Sequence, residues 1–82
     1  MTIAKALIIC PDHRVAEVMR RYYIQTPDVI VKGPSVTGHR ADIVIVLPMP
    51  DEASEGDRER WSLMTREHFV NRVAFGGMFV AP

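Results

Sequence analysis

The stretch Arg40-Ala-Asp-Ile-Val-Ile-Val-Leu-Pro48 decides the fold. Ile43 to Leu47 is an unbroken apolar block, rich in β-branched residues, closed by a proline. It shows no polar alternation, so both faces of the strand are expected to be buried, as in an interior strand of a parallel sheet. Two similar blocks lie upstream, Ala6-Leu-Ile-Ile-Cys10 and Val29-Ile-Val31. A helical pattern separates those two. The reading is one very small α/β domain over residues 1–82.

Working outward, strand one is expected over residues 3–10. Asp12 then suits a helix N-cap, because its carboxylate can accept from the free N–H groups of the first turn. The helix is expected over about 13–25. Val15, Val18, Met19, Tyr22 and Tyr23 form one apolar stripe, and Arg14, Glu17, Arg20, Arg21 and Gln25 take the other side. Thr26-Pro27 stops it. Strand two covers about 28–32, and a turn at Gly33-Pro34-Ser35 leads into strand three at 41–47. The segment Pro48-Met-Pro50 forbids a regular element. Ser54 with Asp57 three residues on is a capping-box pattern opening a second helix to about residue 70. On a uniform helical wheel Trp61, Met64 and His68 share one side, while Leu63 and Val70 point nearly opposite. Val73, Phe75, Phe79 and Val80 suggest a last strand, which Gly76-Gly77 would break, bulge or bend. The order is β-α-β-β-α-β, a Rossmann-like sheet of about four mainly parallel strands. Strands two and three could pair parallel or antiparallel, and parallel pairing is favoured; a sandwich with both helices on one face is the alternative packing.

Composition bounds the function. Lysines and arginines number 10, as do aspartates and glutamates, and this neutrality argues against a dedicated nucleic-acid binder. Arg14, Arg20, Arg21, Lys32 and Arg40 make only a modest basic face. The charge is uneven, with basic residues in excess before residue 41 and acidic ones after it, which suits self-association or a charged partner. A single cysteine excludes an internal disulfide, and no apolar run is long enough to span a bilayer. A reducing, cytoplasmic setting is the expectation.

In a parallel sheet, ligands bind at the carboxyl ends of the strands. Cys10, Asp12, His13 and Ser35 are the polar groups expected there, with Cys10 as a candidate nucleophile beside a helix start. The plainer reading is a buried Cys10 and a solvated His13. No glycine-rich phosphate loop is present, and Asp12 would repel an anion at the helix start. His13, His39 and His68 are too scattered for a metal, so neither metal nor cofactor is expected. The acidic run Asp51, Glu52, Glu55, Asp57 and Glu59 reads as a solvated loop leading into a helix whose positive end it stabilises. Trp61, Leu63 and Met64, framed by Arg58 and Arg60, are candidate interface residues, since Trp and Arg are frequent anchors. For Trp61 a core position is the plainer reading.

Ser35-Val-Thr-Gly-His-Arg-Ala-Asp-Ile-Val-Ile-Val46, followed by Ala53-Ser-Glu-Gly-Asp-Arg-Glu-Arg-Trp61, resembles the Walker B region of the large terminase subunits of tailed phages. Leu7-Ile-Ile-Cys-Pro11 is similar to a strand–Pro–helix unit of helicase-like P-loop ATPases. The resemblance covers about half of the chain. It implies an ATPase-like sheet and a viral origin, hence a host cytoplasm. ATPase activity does not carry over: the Walker A loop is absent, and Leu47-Pro-Met-Pro50 stands where the family closes its strand with acidic residues. The functional expectation is therefore a non-catalytic protein that binds another protein or itself. The alternative is a small nucleotide binder or enzyme using the crevice near Cys10, His13 and Ser35.

Overall fold

The computed structural model of the chain describes residues 2–82. Four parallel strands form one sheet in the order β2-β1-β3-β4: β1 Thr2–Ile9, β2 Val29–Lys32, β3 His39–Val46 and β4 Ala74–Val80. The α/β, Rossmann-like reading holds. Ile8 of β1 stands opposite Val31 of β2 on one side and Ile45 of β3 on the other. Helix α1, His13–Tyr22, packs over Ile8, Cys10 and Val31. Leu7, Ile9, Val44 and Val46 point the other way, into the main core with Trp61 and Phe69. The two helical layers therefore lie on opposite faces, as right-handed crossovers running in opposite directions across the sheet, β1 to β2 and β3 to β4, require.

Two local expectations change. Strands two and three are not neighbours, because β1 lies between them and both run parallel to it. The connecting segment 33–38 is far shorter than the dozen or so residues usual for a parallel crossover. It makes the crossing without a helix by laying Val36 into the core beside Trp61. Gly38 ends it at φ 71°, a left-handed conformation that glycine adopts without the Cβ clash other residues incur. Helix α1 also ends at Tyr22, before Thr26-Pro27. Its last turn closes with the Tyr23 N–H donating to Met19 O, and a further turn has Thr26 N–H donating to Tyr23 O. Ala16, Met19, Tyr23 and Val15 form the packed side, and Val18 and Tyr22 are left exposed.

Helix α2, Glu55–Met64, starts as its sequence requires: the Asp57 N–H donates to Ser54 Oγ at 3.2 Å. It runs on through a π-helical segment, Thr65–Phe69, and a last turn, Val70–Arg72. The π turn, in which the Val70 N–H reaches back five residues to Thr65 O, unwinds the helix. Trp61, Thr65, Phe69 and Val73, each four apart, are thereby all buried on one stripe. A uniform wheel would swing Phe69 and Val73 away from Trp61; the second apolar side expected there, Leu63 and Val70, is exposed. The ring of Trp61 meets that of Phe69 edge-on, centroids 5.2 Å apart. Its Nε1–H donates to Leu47 O at 2.7 Å, and Thr65 Oγ1–H donates to Trp61 O at 2.9 Å. In β4 the glycine pair makes a bulge: Ala41 pairs with Phe75 but Ile43 with Met78, so β4 carries one extra residue there.

These faces carry a direct test. Phe69 is 0% exposed and Leu63 is 45% exposed. Phe69→Ala should cost about 3–5 kcal/mol of unfolding free energy, and Leu63→Ala well under about 1 kcal/mol, measured by urea titration followed by circular dichroism. Equal losses would show that the π segment does not set the buried stripe.

Candidate functional site

The carboxyl ends of the strands bring together only part of the expected crevice. Cys10 is 0% exposed and packs under α1 with Ala16 and Val31. Burial raises its thiol pKa above the ordinary value; the charge of Arg20 opposes this and Asp12 adds to it. A thiol held in its neutral form away from solvent is a poor nucleophile. Asp12 is committed to capping, accepting from the Val15 N–H at 2.9 Å.

His13 and Ser35 do line one cleft, of about 270 Å³. Its other walls are Arg20 from α1, Lys32 at the end of β2, Gly33, Val36 and Thr37 of the crossover, and His39 at the start of β3. Arg20 is held by two contacts. Its Nε–H donates to Val31 O at 3.3 Å, and its guanidinium meets Glu17 at 3.2 Å. His39 titrates below its ordinary value, through burial first and the nearby Lys32 charge second. Among the described residues its Nδ1 is buried with no hydrogen-bond partner. Arg20, Lys32, Thr37 and His39 were not foreseen as one group. The sequence marks Arg20 and Lys32 only as part of a diffuse basic face.

The interface candidates fall in different places. Trp61 is 3% exposed and belongs to the core, because its indole spans from α2 to the end of β3. Arg58 clamps the proline loop, donating to Pro50 O at 3.1 Å, Asp51 O at 2.8 Å and Ala53 O at 3.4 Å. Arg60 pairs with Asp57, and Met64 is half-buried against the core. Of the five, Leu63 presents the largest apolar exposure, and it stands apart from the sheet.

The larger apolar surface is elsewhere. Ile43 and Ile45 of β3, with Met78 and Val80 beside them on β4, face the same side as Ile8. Helix α1 covers that side only over β1 and β2, and among the described residues no element covers it over β3 and β4. Ile43 and Ile45 are half-buried, Met78 is 55% exposed, and Val80 is exposed too. Since Arg20 reaches the outer side of β2, the opposite flank of α1, bearing Val18 and Tyr22, adjoins this strip.

No family model, curated protein or solved structure matches the chain. Among the described residues no three His, Cys, Asp or Glu side chains gather where they could hold one ion. No helix among them is long and apolar enough to cross a membrane.

The Cys10 environment predicts a pH dependence. With its folded pKa raised, the thiol ionises first in the unfolded chain. Its contribution to stability is complete below the unfolded value, about 8.5, and is lost as pH rises through the folded one. Native protein should resist a thiol-reactive dye until denatured, and stability should fall as pH rises above about 8.5, with a component that Cys10→Ala removes. Rapid labelling of the native thiol at pH 7 would contradict this.

Proposed function

We propose that the chain is a non-catalytic interaction module, and that the uncovered β3–β4 strip receives one amphipathic helix from another polypeptide. One observation carries the reading: an all-parallel sheet is normally covered on both faces, and here the half-face bearing Ile43, Ile45, Met78 and Val80 lacks its layer. The dimensions favour a helix. Two strands span about 10 Å, the diameter of one helix with its side chains, and α1 already covers the other two strands in this way. The strip and the exposed flank of α1 form a corner, with Val18 and Tyr22 as its wall. Arg14 and Arg21 lie on the outer surface of α1 and edge that wall with positive charge. The partner helix is therefore apolar on one stripe and acidic along its rim.

A synthetic amphipathic helix with a leucine stripe and glutamate flanks tests this. In titrations followed by methyl NMR it should shift Ile43, Ile45, Met78 and Val80 saturably, with a dissociation constant on the order of 10 micromolar. Met78→Asp should weaken it about tenfold while leaving the far-ultraviolet circular dichroism unchanged. Absence of methyl shifts would overturn the reading. So would sedimentation showing a dimer that already covers the strip, because the occupant would then be a second copy.

A further inference from the structure

The cleft beside β2 has a chemistry that the helix-docking surface does not use. Its walls offer two permanent cations, Arg20 and Lys32, two imidazoles, His13 and His39, and two hydroxyls, Ser35 and Thr37, with no carboxylate among them. Glu17, which is not among the lining residues, pairs with Arg20. Gly33 brings one imidazole close to the crossover: a Cβ there would stand 3.2 Å from both Cε1 and Nδ1 of His13. Burial is the first cause that holds the His39 imidazole below its ordinary value, and the charge of Lys32 adds to it, so the two groups lie close enough to act on one ligand.

We propose that this cleft binds a small phosphate group, either free or as the headgroup of a short phosphomonoester. Lys32 and Arg20 supply the charge, and the Ser35 and Thr37 hydroxyls and the imidazole N–H groups donate to the phosphate oxygens. The helix start contributes little, since the Asp12 carboxylate already takes the Val15 N–H. Size and composition limit the ligand. At about 270 Å³ the cleft lies below the usual range for drug-sized ligands. Val36 is its one apolar wall, and no aromatic ring lines it on which a base could stack. A phosphate with a few carbons fits this description, and a nucleoside triphosphate does not.

Inorganic phosphate titrated into the full chain at constant ionic strength, followed by amide NMR, is the test. Saturable shifts are expected at Gly33, Ser35, Thr37 and His39, with a dissociation constant of about 1 mM or tighter. Lys32→Gln should weaken binding at least about tenfold, the worth of one charged hydrogen bond. Gly33→Ala, which pushes the His13 ring aside, should weaken it too and guards against a folding defect in the first variant. Glycerol 3-phosphate binding more tightly than inorganic phosphate would identify an ester, and equal affinity the free anion; both support the site. Non-saturable shifts, equal shifts with chloride, or unchanged affinity in both variants would overturn it. A short DNA duplex that displaces phosphate and binds far more tightly would overturn it as well, because the cleft would then be part of a nucleic-acid surface. Met78→Asp should leave phosphate binding intact, so this site and the helix-docking reading fail or stand separately.

Discussion

The structure depends on one constraint: a parallel sheet must be covered on both faces, because every interior strand carries apolar side chains up and down. Ile43 to Leu47 states that demand in sequence, and the chain meets it unevenly. On one face Val36 of the crossover, Trp61 of α2 and Phe69 of the π turn bury Leu7, Ile9, Val44 and Val46. On the other face one helix of three turns covers two strands. With so short a crossover between β2 and β3, the chain spends no helix there. A single side chain, Val36, does part of the work of one. Economy on the main core face keeps the domain small, and the unfilled half of the opposite face is where the shortage shows.

Trp61 holds the covered face together from several directions. Its indole N–H ties α2 to Leu47 at the end of β3, its ring packs edge-on against Phe69, and its carbonyl accepts from Thr65. The hydroxyl of Thr65 is buried yet satisfied within its own helix, so it costs little. Arg58, three residues earlier, gathers the carbonyls of Pro50, Asp51 and Ala53 and so fixes the loop that delivers α2 to the sheet. An arginine that serves three backbone acceptors is occupied with the fold and has little left to offer a partner.

Much of the fold was legible because its signals are local. The strand blocks, the Asp12 and Ser54 caps and the irregularity at Gly76-Gly77 each rest on neighbouring residues, and each lies where local chemistry puts it. What could not be read depends on distant pairing. That β1 separates β2 from β3 is decided by packing. No periodicity announces a π turn, so the sequence placed Trp61, Met64 and His68 on one side of the second helix without Thr65 and Phe69, which the π turn buries in line with Trp61. Val18 and Tyr22 matched the apolar stripe of α1, but the helix is rolled toward Ala16 and Tyr23, because Arg20 reaches over the outer side of β2 to Val31 O. The candidate site was half-legible for the same reason. His13 and Ser35 flank strand ends, where such sites are sought, whereas Thr37 and His39 come to them only through a crossover that sequence cannot trace.

The cleft and the open strip lie at opposite edges of the sheet, one beside β2 and the other running to β4. Helix α1 is the element common to both: Arg20 on one flank lines the cleft, and Val18 and Tyr22 on the other wall the strip. An anion competing with Glu17 and Val31 O for Arg20 would pull on the contacts that set the roll of α1. A helix docked against Val18 and Tyr22 would load the same degree of freedom from the far side. Coupling between the two would have to be reciprocal, and it would be limited to the difference in how each ligand favours one roll over the other. Ala16, Met19 and Tyr23 are packed against the sheet, so any such movement is a small rotation, not a hinge.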